Sequence, residues 1–155
     1  MLGTDIGKTQ KRRPFSQVLY ATSFVLSTPQ RAQCANLMAV EAERRRGGAA
    51  FALNLSSAGM LPRVLPQVLA LLPRTKFLFG NSDELRALGQ LLGWNDGTAT
   101  DDDASRACSL AKLLAPGGVA VITRGTEATL IAASSKAWTV PVPTVSHSGT
   151  TAAGC

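Results

Sequence analysis

Phe77-Leu78-Phe79-Gly80-Asn81-Ser82-Asp83-Glu84 decides how the rest of the chain is read. Its first residues form a short apolar, aromatic run, the pattern of a strand buried on both faces. Gly80 ends that run, and an Asn-x-x-Glu then opens a helix. Asn81 or Ser82 can cap the helix, and Asp83 and Glu84 stand where the helix dipole favours negative charge. In an α/β sheet such a strand-to-helix turn lies at the carboxyl edge, where ligands bind. Backbone N–H groups there attract phosphate, and a carboxylate beside them can hold Mg²⁺ directly or through water. Two readings follow: a phosphate and Mg²⁺ site, or an ordinary acidic helix start.

The sequence on either side alternates strands with helices. Val18–Ala21 reads as a buried strand, which Phe24–Leu26 either continues or leaves for a loop. Thr28 and Pro29 predict an N-cap and first turn. Cys34, Leu37, Met38, Val40 and Ala42 give that helix its apolar positions, and Arg44–Arg46 with Gly47-Gly48 end it. Ala50–Leu55 is a second strand, followed by the small-residue loop Ser56–Gly59 and a helix from about Pro62 to Leu72, with Leu65, Val68, Leu69 and Leu72 inward. Phe77–Phe79 is the third strand, and a helix over Ser82–Leu92 follows it. Beyond a polar turn at Gly93–Asp101, the triplet Asp101-Asp102-Asp103 opens a helix running to Leu114, either as a cap or as a metal ligand set. Val119–Ile122, a tight turn at Thr123-Arg124-Gly125 and Ala128–Ala132 make a hairpin, and Trp138–Pro143 is a last extended piece. This order predicts an α/β fold, a mostly parallel sheet with helices on both faces and a late antiparallel hairpin.

The chain has 155 residues, 45% of them apolar, enough for one domain with a core. The formal net charge of +6 sits mostly in Lys8–Arg13 and Arg44–Arg46, which read as solvated tails or helix ends, not as a specific nucleic-acid site. The three cysteines, Cys34, Cys108 and Cys155, form no C-x-x-C pair, which predicts a reduced, cytoplasmic protein. No apolar run is long enough to span a membrane. Residues 1–16 read as a flexible basic leader, 17–145 as the α/β domain and 146–155 as a disordered tail. Gly3-Thr4-Asp5-Ile6-Gly7-Lys8-Thr9 falls one residue short of a P-loop spacing and follows no strand. The sole histidine, His147, lies in the predicted tail and reads as incidental.

Four segments together resemble one family. Phe51–Ser57 resembles the Phe-x-x-Asn-Leu-Ser-Ala signature of adenosine kinases, and Leu78–Glu84 their Phe-Gly-Asn-x-x-Glu. Val121–Gly125 resembles their Val-x-Thr-x-Gly turn, and Phe24–Ser27 the Phe-Phe-Leu-Thr that enters a helix. The segments stand in family order over about residues 18–145, so the chain resembles the central-to-C-terminal portion of an adenosine kinase of the ribokinase, or pfkB, family.

The resemblance implies a three-layer ribokinase-like sandwich and Mg²⁺-dependent transfer of phosphate from ATP to the 5′-hydroxyl of adenosine, giving AMP. It implies that Asn81 and Glu84 hold the Mg²⁺–phosphate network through water, and that Thr123 and Gly125 lie along the ATP. Asn54 and Ser56 fall at the neighbouring strand end, Asn54 as a site residue or as a turn residue. Arg124 stands where the family varies and receives no role. The family's lid and N-terminal nucleoside contacts have no counterpart here. Its Asp-Thr-Asn-Gly-Ala-Gly-Asp, with the catalytic base last, is matched only loosely by Gly149–Cys155, where Cys155 replaces the base. The expectation is therefore a truncated, inactive adenosine kinase with no catalytic residue of its own. The alternative is a non-catalytic remnant that binds a nucleotide or a protein, with self-association through uncovered apolar faces.

Overall fold

The computed structural model describes residues 17–45, 49–94 and 102–143. They form one sheet in the order β1 (Gln17–Thr22), β2 (Ala49–Asn54), β3 (Phe77–Asn81), β4 (Val119–Arg124), β5 (Glu127–Ala133) and β6 (Lys136–Val140). β1 to β4 are parallel, and β5 and β6 return antiparallel. The crossovers carry α1 (Pro29–Arg44), α2 (Leu61–Leu71), α3 (Ser82–Leu91) and α4 (Asp103–Ala111). The leader, Gly47-Gly48, the turn at 95–101 and the tail with His147 and Cys155 lie outside the described residues.

Parallel crossovers are right-handed as a rule, and with strand order unreversed that rule sends every one of these helices to the same face of the sheet, where α1 packs on α2, α2 on α3 and α3 on α4. Burial agrees. Ala21, Leu53, Leu78, Ala120, Ile122 and Leu130 alternate into one core with the helices. The intervening residues make the opposite face, where Val18 is 57% exposed and Trp138 51%. Strict two-residue alternation produces both faces from the same strands. Of the two helical layers expected of the sandwich, the described residues contain one.

Several local expectations are corrected. Phe24–Leu26 neither extends β1 nor forms an open loop; Ser23–Ser27 is a 3₁₀ turn. The buried Ser23 hydroxyl holds it in place by donating to the Leu55 carbonyl. Thr28 occupies the N-cap of α1 without a side-chain bond, and Pro29 follows at the first helical position, where its fixed φ suits the helix and its missing N–H leaves no bond unmade. The buried face of α1 is Ala35, Ala39 and Ala42, whereas Leu37 and Val40 are exposed. Small side chains let this helix lie close to the sheet, so size outweighs hydrophobicity here. In α2 the inward stripe is Leu61, Val64, Val68 and Leu71, and Leu69 faces solvent. Leu72, just past the helix, is buried as expected, and the exposed side of α2, Pro62, Arg63, Pro66 and Ala70, lies opposite the stripe. α4 stops at Ala111, β6 begins at Lys136, and the hairpin turns at Gly125-Thr126.

Asp102 caps α4 by accepting from the Ser105 N–H at 2.6 Å. That bond, with a second from the Ser105 side chain, holds the Asp102 carboxyl below its ordinary value of 3.8. Its contribution is present above that value and is lost as pH falls through the depressed one. Asp102→Ala is expected to cost about 1 kcal/mol at neutral pH in urea denaturation. Asp102→Asn should keep most of the cap and remove its acid dependence.

Candidate active site

The carboxyl ends of β2, β3 and β4 bring Asn54, Asn81 and Thr123 together. Parallel register sets Asn81 beside Thr123 and Asn54 beside Phe79. The backbone of Asn81 is still extended, so its side chain can turn back over the first turn of α3. Its Oδ1 accepts from the Glu84 N–H at 2.9 Å. Glu84 answers by accepting from the Asn81 N–H at 3.1 Å, and from Asn81 Nδ2 at 3.2 Å. This is a complete capping box, and it decides the question of which residue caps α3 in favour of Asn81. Asp83 adds a negative charge to the same first turn.

Gly80 makes that geometry available. A Cβ there would stand 3.2 Å from Glu84 Oε2 and 3.2 Å from Leu55 Cδ1. The absent side chain is what lets a carboxylate fold back against the strand. Glu84 is only 5% exposed. Burial pushes its carboxyl above the ordinary 4.5, opposed by the Asn81 hydrogen bond and aided by the charge of Asp83.

Asn54 is braced on both sides. Its Oδ1 accepts from the Ser56 N–H at 2.9 Å, and its Nδ2 donates to the Tyr20 hydroxyl at 2.9 Å. Ser56 has φ +59°, in the left-handed region, and the Asn54 bond supports it there. Asn54 is thus a turn residue and also part of the wall of a cavity of about 580 Å³, with Tyr20, Ser56, Asn81, Glu84 and Thr123. Gly125, at φ +64° in the hairpin turn, lies instead in an adjoining space of about 410 Å³ that shares Asn81 and Thr123. Sequence reasoning missed Tyr20, which has no motif and lies 34 residues from its partner Asn54. Alternation along β1 is the only signal that could have placed it on this face.

Among the described residues no group of three His, Cys, Asp or Glu side chains could hold a metal ion. Asp102 is a cap and Asp103 accepts from Ser82 Oγ at 2.6 Å, so the metal reading of the aspartate triplet has no support in the described part. One carboxylate and one carboxamide, Glu84 and Asn81, fit a Mg²⁺ that keeps its waters and takes phosphate oxygens as its other ligands.

Folding raises the Glu84 pKa, so between 4.5 and the raised value the folded chain binds more protons than the unfolded one. Stability attributable to this group therefore falls as pH rises through that window. Glu84→Gln should flatten this slope in urea titrations at stepped pH. Glu84→Ala, which also removes the capping box, should cost about 1–2 kcal/mol.

The model of the pfkB family of carbohydrate kinases matches residues 9–154. Adenosine kinase from Anopheles gambiae, solved with P1,P4-di(adenosine-5) tetraphosphate, superposes with a TM-score of 0.71 at 23% identity, over 83% of this chain and 40% of that one. The Trypanosoma brucei brucei adenosine kinase gives 0.71 at 24% identity, over 84% and 38%. The Schistosoma mansoni enzyme with tubercidin gives 0.68 at 24%, over 82% and 37%. The chain therefore spans about two fifths of the length of these structures. At such identities the superpositions establish a shared ribokinase-like α/β fold. The family match extends over nearly the whole sequence, and the chain belongs to the pfkB family of carbohydrate kinases.

Proposed function

We propose that this chain carries the metal and phosphate part of an ATP-dependent nucleoside kinase site, with ATP as donor and the 5′-hydroxyl of adenosine as acceptor. The observation that supports this most is the Asn81–Glu84 capping box, which faces the same cavity as Thr123 on the next parallel strand. Asn81 and Glu84 hold Mg²⁺ through water, Thr123 and Gly125 run along the ATP, and Asn54 shapes the neighbouring wall. Bound Mg²⁺ would neutralise charge on the phosphates. The protein's own part is to keep a buried carboxylate aimed and to place backbone N–H groups of α3 beside the phosphate. Adenosine as acceptor is supported by the likeness of Phe51–Ser57 and Leu78–Glu84 to adenosine kinase segments.

Among the described residues around this cavity Glu84 is the one carboxylate, and the capping box already engages both its oxygens. No second carboxylate there takes the proton of an attacking hydroxyl. We therefore expect Mg²⁺-dependent ATP binding by the chain, and no transfer by the chain alone. A second reading, a non-catalytic module that binds a nucleotide or a protein, is supported by the apolar sheet face bearing Val18 and Trp138.

Isothermal titration of the chain with ATP and Mg²⁺ tests the binding. Glu84→Gln keeps the fold and should weaken Mg²⁺–ATP binding by about tenfold or more, the loss expected for a charge-assisted contact. Incubation with labelled ATP and adenosine tests the rest. Mg²⁺-dependent AMP formation by the pure chain would overturn the expectation of inactivity and favour a complete kinase.

A further inference from the structure

Arg124 stands at the end of β4 between Thr123 and Gly125, and the ladder beside it is irregular. Ile122 pairs with Leu130, but Arg124 pairs with Glu127, so the register slips between them. Such a bulge redirects a side chain that strict alternation would send elsewhere. Arg124 Nε donates to the Ala128 carbonyl at 2.8 Å, which pins one edge of the guanidinium to the hairpin. The side chain is 22% exposed and lines the 410 Å³ space together with Asn81, Thr123 and Gly125.

The other charges around that space are already engaged. Asp83 is paired with Arg86 at 2.9 Å, and Asp103 accepts from Ser82. The charge partner of Arg124 is Glu127, whose Oε2 lies 3.4 Å from Nη1, and the Glu127 side chain is 71% exposed. An ion pair so open to water is weak and is readily exchanged for a better anion. A phosphate offers a guanidinium two parallel, charge-assisted hydrogen bonds.

We infer that Arg124 holds the β-phosphate of the bound nucleotide, on the side of the Asn81–Glu84 centre where Thr123 and Gly125 lie; this rests on the phosphate reading given under Proposed function. The bulge aims the guanidinium, the Ala128 carbonyl limits its freedom, and the nucleotide displaces Glu127. A nucleoside monophosphate has no β-phosphate and gains nothing from Arg124.

Titration of the full chain with ADP and with AMP, both with Mg²⁺, tests the inference. Arg124→Ala should weaken ADP about tenfold and change AMP by less than about twofold. Glu127→Gln, which removes the competing carboxylate from an exposed position, should tighten ADP about two- to threefold and leave AMP unchanged. Unchanged ADP affinity in both variants overturns the inference, and so does an equal loss for ADP and AMP in Arg124→Ala, which would mark a damaged hairpin. If urea denaturation shows that Arg124→Ala does not fold, Glu127→Gln decides alone, and no gain in ADP affinity overturns the inference. A wild-type chain that fails to bind ADP overturns the phosphate reading and this inference with it. ADP binding indifferent to both substitutions overturns this inference only.

Discussion

The reciprocal hydrogen bonding of Asn81 and Glu84 is the constraint on which the site depends. It satisfies two backbone donors that the start of α3 would otherwise leave open, one on each residue. In doing so it draws a carboxylate out of solvent and fixes it against the end of β3. A free glutamate on a surface helix would sample many rotamers in water. Here the same bonds that start the helix aim the group, and Gly80 leaves it the room. Structural and chemical roles are therefore carried by one interaction. The burial that raises the Glu84 pKa is the cost of that arrangement, and the Asn81 N–H offsets part of it.

The sheet behind this corner divides its residues sharply. On the face turned toward the helices, Phe51, Leu53, Leu78 and Ile122 are all but inaccessible. α1 reaches that face through alanines, which lets it approach closely and leaves its larger apolar residues outside. On the other face Val18, Tyr20, Trp138 and Val140 are open. Along that face the polar residues Asn54, Asn81 and Thr123 gather at the carboxyl ends of the strands. The same alternation thus supplies an apolar sheet surface and a polar rim, and the cavity lies on the rim.

Much of this was legible before any coordinates. The strand-to-helix turn at Gly80–Glu84, the helix opened by aspartates and the hairpin after Gly118 are announced by local chemistry: glycine, capping side chains and β-branched runs. Asn81 and Glu84 could be singled out from the helix start they form, whereas Asn54 and Thr123 were marked only by the likeness of their segments to adenosine kinases. The stripe of α2 was only half legible: Val68 and Leu72 are buried as read, but Arg63 is the one charge that marks the outer side, too little to show that Leu61, Val64 and Leu71 turn inward and Leu69 outward. Ala35 and Ala39 on the buried face of α1 were missed for a related reason. Hydrophobicity points to Leu37 and Val40, and only the distance to the sheet selects the smaller side chains.

By itself the sequence determined the kind and order of the elements, the parallel sheet they imply, and the Asn-x-x-Glu cap, since all of these rest on neighbours within a few residues. Tertiary structure alone decided what meets at the rim. Tyr20 finds Asn54 only because β1 lies beside β2, and Thr123 finds Asn81 only because β3 and β4 share a register. The aim of Arg124 is likewise set by a slip in the β4–β5 ladder. Pairing between strands distant in sequence is governed by packing of the whole sheet, and local spacing carries no record of it.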